Sequence, residues 1–362
     1  MELTRRDVLA FRVRAQQLDR DAGQVAGTAV LDLGVQDTGT NGAAWALRLR
    51  GVPEPAADEL VLLWTIRGAP HLYRRADLAD VAAATAPFSE ADAAKRVFDA
   101  SRPLKAAGIP VLTGLDTIAA RMREIVTAPM AKGEMSTRLT AALEEPYLRD
   151  CVPCGAVHAY EQPFRLAALR AGLELEPGTS PPVLRPIPGF APSAAPADRF
   201  DVVRGYLRLL GPATPQHVAG YLDAPVREVQ ARWPADAVEV RVDGEPRWVL
   251  AEDADRLADG PPAVTRLLGS HDLFLQARDR PTLLPDPAQA KELWRTIGRP
   301  GGVLSGGELV GSWRARKAGK HLDLSVTAYG AVPPQRREAV GVEAERLAAF
   351  RGLALRTLEI SA

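Results

Sequence analysis

The sequence predicts an α+β chain: tandem winged-helix units followed by an antiparallel β module. Three observations predict it. Three helical stretches followed by a β-rich hairpin occur at the N-terminus, and the same order recurs more sharply after residue 199. The last part of the chain shifts to short β-rich runs joined by glycines. Helix, helix, helix, hairpin is the order of a winged helix, a helix-turn-helix carrying a β wing.

The first unit spans 1–88. TRRDVLAFRVRAQQLDR reads as a helix with Thr4 as N-cap and Val8, Leu9, Phe11, Val13 and Leu18 as apolar positions. A second helix is expected over about 23–33 and a third over about 42–49, separated by the break GVQDTGTNG. LVLLWTI is a strand, RGAP a turn and HLY a returning strand. The second unit, 89–190, is expected to be winged-helix-like and to end in a Pro-rich linker. It is helical over 89–126; MAKGEMSTRLTAAL gives a turn and a helix capped by Ser136 or Thr137, FRLAALRAGL another helix, and VLRPIP a returning strand. The linker segment, 177–198, is rich in Pro, Ser and Ala.

The third unit, 199–255, has the clearest pattern. RFDVVRGYLRLLG is a helix stopped by Gly211, Thr214 caps the next helix with Pro215 at its first position, and APVREVQARW is the third helix. VEVRVDGEPRWVL alternates around Asp243-Gly244, a hairpin-turn pair. The third helix is the expected recognition helix, exposing Arg227, Gln230 and Arg232. The β module, 256–362, contributes strands GVLS, ELVGSWRAR and HLDLSVTAY, turns at Gly306-Gly307 and Lys317–Lys320, and a closing helix from PPQRREAVGVEAERLAAFRGL.

At about 100–200 residues per domain, 362 residues suggest two or three domains. There are 45 basic and 45 acidic residues, so nucleic acid, if bound, must meet a local basic face. Six of the basic residues are Lys and the rest Arg. This bias fits genomic base composition and is compatible with phosphate binding. The N-terminus lacks a signal peptide's apolar core, and no run reaches the ~18–20 apolar residues of a membrane span, so a cytoplasmic location is expected.

Cys151, Cys154 and His158 are three soft ligands within eight residues. A closed structural zinc site takes four, and no second Cys pair exists, so the expectation is incidental cysteines and no metal; a zinc ion and a redox pair are the alternatives. The chain has no Gly-rich loop ending in Lys-Ser/Thr, no HExxH and no GxSxG. The basic hairpin Arg314, Arg316, Lys317 and Lys320 can reach into a groove and pair phosphates, or stand as a solvated turn. Arg67 and His71 lie on the first hairpin, where His71 is either a satisfied structural histidine or lines a site.

Gln36, Asp37 and Thr38 lie in the polar break between two helices. They can satisfy free backbone groups there. They can also hold a water by hydrogen bonds beside an electrophile that already carries positive charge, and an N-alkylated purine is one.

GVQDTGTNGAAWALRLRG, LLWTIRGAPHLYRRADL, CVPCGAVHAYEQPFRLAALRAGL, LRLLGPATPQHVAGYL and GGELVGSWRAR follow one another in an order that resembles the AlkZ-like family of bacterial DNA glycosylases, along nearly the whole chain. The resemblance implies a C-shaped molecule whose concave basic face holds duplex DNA, with no metal or organic cofactor. The family's motif is Gln, a hydrophobic residue, Gln, with a branch ending in Asp. Gln36 matches its first glutamine, Thr38 stands at the second, and Asp37 stands where a hydrophobic residue is usual. The implied function is excision of an alkylated base by N-glycosidic hydrolysis. Gln36, Asp37 and Thr38 would be catalytic, and Arg227, Arg232, Arg314, Arg316, Lys317 and Lys320 would bind DNA. The protein is expected to be a monomer, cytoplasmic and nucleoid-associated. Because Thr38 replaces the second glutamine, the alternative is a non-catalytic DNA-binding protein that senses lesions or regulates.

Overall fold

The computed structural model describes residues 1–361. The helix Arg5–Ala15 starts in a reciprocal cap: the Thr4 hydroxyl accepts from the Asp7 N–H, and the Asp7 carboxylate accepts from the Thr4 N–H. The strand Glu2–Leu3 before it pairs in parallel with Ala237–Val242, far along the chain. The helix expected over 23–33 is instead a 3-10 turn, Val25–Gly27, and a single helical turn, Val30–Leu33. Gln17 causes the break. Its amide donates to the Gly27 carbonyl and accepts from the Ala29 N–H, and the Thr28 hydroxyl donates to the Gln24 carbonyl. These bonds occupy the groups a continuous helix would use.

The helix Gly42–Arg48 and the strands Leu60–Trp64 and Pro70–Arg74 lie where expected. The strands do not stop at a two-stranded wing. They belong to a six-stranded sheet in the order Val35–Gln36, Pro70–Arg74, Leu60–Trp64, Leu173–Leu175, Val183–Pro186 and Met130–Ala131. Helices Val111–Ile125, Lys132–Ala142 and Glu161–Arg170 share a core with Leu62 and Trp64 of that sheet. Ser136 and Thr137 do not cap the second of these helices. It begins at Lys132, straight out of Met130–Ala131, and Thr137 bonds back to the Gly133 carbonyl inside it. A separate two-stranded hairpin, Leu148–Cys151 with Ala156–Ala159, was not expected.

Helices Val202–Leu210, Pro215–Leu222 and Val226–Gln230 are followed by the hairpin Ala237–Val242 and Glu245–Leu250. Asp243 and Gly244 both have positive φ, as a two-residue turn of this hand requires. The last sheet has the order Thr265–Leu268, Gly301–Ser305, Glu308–Ala318, His321–Ala328 and Ala354–Ser361. It corrects the expectation of an antiparallel module: its last two strands are parallel. A parallel partner needs a crossover, and the helix Pro334–Phe350 provides it.

Buried ion pairs hold the segment 272–279 against the N-terminal elements. Arg12 meets both oxygens of Asp279 at 3.0 and 2.8 Å, and Arg50 meets both oxygens of Asp272 at 2.8 and 2.9 Å. All four side chains are almost fully buried. Removing one partner of such a pair costs about 3–5 kcal/mol, because a lone charge stays behind. Among the described residues no helix is long and apolar enough to cross a membrane.

Candidate active site

The break GVQDT begins at Gly34, which closes the helical turn Val30–Leu33 with φ +91°. A side chain there would collide with the Tyr73 ring as well as strain the backbone. The chain then enters the edge strand Val35–Gln36, where Gln36 pairs with His71. Gln36 Nε2 donates to Thr38 Oγ1 at 3.0 Å, and Gln36 Oε1 accepts from Arg67 Nη2 at 3.3 Å.

Arg67 organises this region from the turn between the two long strands. Its φ of +58° is the left-handed conformation, which costs a non-glycine residue about 1–3 kcal/mol. Its side chain makes up for that. The guanidinium lies 4.7 Å from the Tyr221 ring centre, donates to the Tyr221 carbonyl, and donates to Gln276 Oε1 at 2.7 Å. Gln276 is oriented in turn by donating to the His271 carbonyl. Arg67 therefore joins Gln36 to the segment that the buried ion pairs fix.

His71 is fully buried. Its Nδ1 lies 2.9 Å from the Ala69 carbonyl, which can only accept, so Nδ1 carries the proton. Nε2 has no partner among the described residues. Burial first, and the Arg67 charge second, push its pKa down to about 3, so His71 is a neutral structural side chain near neutral pH.

Asp37 is drawn into the backbone. Its N–H donates to the Pro70 carbonyl, and its Oδ1 accepts from the Ala43 N–H in the first turn of the helix Gly42–Arg48. Thr38 lines a cavity of about 210 Å³ with Trp45, Ser270, Arg299, Arg314 and Arg351. The structure thus brings Thr38 and Arg314 to one cavity from opposite ends of the sequence.

The other predicted cations divide. Arg314 pairs with Glu292 at 3.0 Å and Arg316 with Asp323 at 3.3 Å. Lys317 and Lys320 stand exposed at the hairpin end, with no ion pair among the described residues. Arg227 is exposed on the short helix beside Glu228. Arg232 is anchored on Phe88, stacking at 4.7 Å and donating to its carbonyl.

Sequence reasoning missed Arg278, Arg280 and Arg299. With Arg67 and His271 they form a cationic cluster in which none of the four arginines has an ion-pair partner among the described residues. Burial and then Arg67 lower the Arg278 pKa; burial and then Arg280 and Arg67 lower that of Arg299. Burial, then Arg299 and Arg67, push His271 down to about 4. The mutual repulsion of these groups marks a place where a bound anion is favourable. In ARDRP one aspartate stands between two arginines, but Asp279 is committed to Arg12 and Arg247, which leaves Arg278 and Arg280 without an ion-pair partner among the described residues.

A sequence model described as DNA glycosylase AlkZ-like matches residues 30–350. No curated protein matches the chain. The solved structure of Streptomyces sahachiroi DNA glycosylase AlkZ is similar in fold, with a TM-score of 0.75 and 23% identity over 99% of this chain and 100% of that one. The family match covers most of the sequence, and the chain belongs to the AlkZ-like DNA glycosylase family.

Proposed function

We propose that this protein binds duplex DNA across the face that carries Gln36 and the arginine cluster, and hydrolyses the N-glycosidic bond of an alkylated base. One observation carries the reading. The hydrogen-bonded pair Gln36–Thr38 lies beside an uncompensated group of arginines in a member of this glycosylase family. Repeated phosphates are the natural counter-charge for such a cluster.

Gln36 Oε1 uses one lone pair on Arg67, and Thr38 Oγ1 uses one on Gln36 Nε2. Each oxygen keeps acceptor capacity. A water that donates to both presents its own lone pair to the sugar. Its oxygen bonds to C1′ as the C1′–N bond breaks, and the electron pair neutralises the cationic base. The water's proton leaves to solvent. An alkylated purine needs little activation of the water because the leaving group already carries the charge. Asp37 supports the oxocarbenium-like sugar through the carboxylate oxygen that does not cap the helix, and Arg67 holds the Gln36 amide in place.

The wider architecture supports the reading as well. The helical units with their hairpins are read as winged helices, 1–88, 89–190 and 199–255, arranged with the module 256–362 as a C around the duplex. Arg227, Arg232, Arg314, Arg316, Lys317 and Lys320 join the cluster in holding phosphates. Arg314 and Arg316 exchange Glu292 and Asp323 for DNA. The protein acts as a monomer.

The test is release of modified base from alkylated duplex DNA. Gln36→Ala is expected to lower the rate by about 100-fold or more, the scale of losing a transition-state hydrogen-bonding group. Undiminished release by that variant sinks the catalytic assignment. A second reading, a non-catalytic DNA-binding protein, is favoured by Thr38 in place of a glutamine and by the commitment of Asp37 to helix capping. It predicts salt-dependent duplex binding with no abasic sites formed by the unaltered protein.

A further inference from the structure

The hairpin Leu148–Cys151 and Ala156–Ala159 stands apart from the three larger sheets. A lone two-stranded hairpin is marginal in water. Its turn is polar-poor: Val152 is 91% exposed and Pro153 follows it. Yet the turn is closely specified. The N–H groups of Cys154 and Gly155 both donate to the Cys151 carbonyl, at 3.1 and 2.9 Å, and Gly155 takes φ +61°.

That turn folds Cys154 back towards Cys151. The register pairs Cys151 with Ala156, so His158 is its diagonal neighbour on the returning strand. The two sulfurs and a ring nitrogen of His158 all lie within 4.8 Å of one another. Tetrahedral zinc bonds of about 2.3 Å to sulfur and 2.0–2.1 Å to nitrogen set ligand–ligand separations of roughly 3.5–3.8 Å. The three atoms therefore need to close by only about 1 Å. His158 is also in the tautomer a metal ligand needs. Nδ1 lies 2.7 Å from the Ala159 carbonyl and must donate to it, leaving the Nε2 lone pair free. A backbone carbonyl holding the second nitrogen is the usual support of a metal-binding histidine.

We propose that Cys151, Cys154 and His158 bind one soft divalent cation of the zinc class, with a water or an exogenous donor in the fourth position. The ion clips the hairpin, replacing the cross-strand packing that the exposed turn lacks. Two thiolates and an imidazole select zinc over calcium or magnesium, which take oxygen ligands. The clip is independent of Gln36 chemistry, although the chain passes straight from it into the helix Glu161–Arg170, whose Arg165 donates to the carbonyl of Gly68 beside Arg67.

The experiment uses the full reduced chain, stripped of metal with a chelator. Zinc is titrated against a chromogenic competitor, and cobalt is used as a spectroscopic substitute. About one equivalent of zinc should bind, and cobalt should give thiolate charge-transfer absorption with the intense visible bands of a tetrahedral site. Cys154→Ser should weaken zinc at least about tenfold, and Cys151→Ser/Cys154→Ser should abolish the charge-transfer band. Far-ultraviolet circular dichroism confirms that the variants fold. Zinc affinity equal in the unaltered and double-serine chains overturns the proposal. So does a cobalt complex without thiolate absorption, or a chain whose cysteines form a disulfide under air in the presence of equimolar zinc.

Discussion

At the scale of single residues, His71 is a titratable group held neutral beside Gln36. It is buried, its Nδ1 proton is held by the Ala69 carbonyl, and its pKa is pushed down to about 3 by burial and by Arg67. In the unfolded chain the ring titrates near 6.5. Below that pH the unfolded state takes up a proton that the native state refuses. The stability tied to His71 is therefore complete above about pH 6.5 and is lost as pH falls towards 3, at up to about 1.4 kcal/mol per pH unit. His71→Asn keeps an amide N–H for the Ala69 carbonyl and removes the titration. Denaturant unfolding at pH 7 and pH 5 should show the unaltered protein losing about 2 kcal/mol more than the variant. Equal losses in the two proteins contradict the neutral, buried assignment. That Gln36 neighbours Arg67 and His71 was not readable in the sequence, which placed Gln36 in a polar break between two helices; the edge strand Val35–Gln36 pairs it with His71, and the turn after Leu60–Trp64 brings Arg67 to it. Arg278, Arg280 and Arg299 were not readable either. Their significance comes from Asp279 being claimed by Arg12, 267 positions earlier in the chain, and no local pattern reports that.

At the scale of elements, Asp37 does for its helix what the cap residue does not. Asn41 precedes the helix Gly42–Arg48 in the left-handed conformation, and its side chain makes no capping bond. Asp37 supplies the acceptor from four residues further back, on Ala43 N–H at 3.0 Å. Losing a capping side chain costs about 1 kcal/mol. Asp37→Ala should show that loss in chemical unfolding, and Asp37→Asn should recover most of it. Base release separates the roles. If Asp37→Asn is as stable as the unaltered protein and releases base at full rate, the carboxylate charge has no part in the chemistry. The same dual use explains why spacing alone left this segment between a cap and a site: Asp37 is a cap, Gln36 bonds to Arg67, and Thr38 lines the cavity. Elements with local punctuation were legible, such as Pro215–Leu222 behind Thr214 and the hairpin turning at Asp243-Gly244. Those decided by distant partners were not. The helix over 23–33 yields to Gln17, and the strand Ala354–Ser361 takes its place only because Pro334–Phe350 carries the chain back in parallel.

At the scale of the whole molecule, a formal charge of 0 hides an uneven distribution. Many arginines are spent internally, on Asp32, Asp272, Asp279 and Glu343, where they fix one element against another. Arg67, Arg278, Arg280 and Arg299 are left over: none has an ion-pair partner among the described residues, and their like charges make a bound anion favourable there. The net charge of the chain is therefore a poor guide to its partner, and the salt dependence of binding is a better one. Each phosphate neutralised by a cation releases counterions, so the slope of log K against log salt reports about 0.9 per neutralised phosphate on duplex DNA. Replacing Arg278, Arg280 and Arg299 together by Gln should shallow that slope by up to about 0.9 for each phosphate left without its arginine, and should weaken binding most at low salt. Arg121→Gln is the comparison: that side chain is exposed and already paired with Glu124, and its removal should leave the slope unchanged. Fluorescence anisotropy of a labelled duplex over a salt series measures both. A triple variant with the slope of the unaltered protein would move the DNA off this cluster. In that event the exposed hairpin of Lys317 and Lys320 would have to hold the phosphates, and substituting those two lysines in the same assay decides between the two faces.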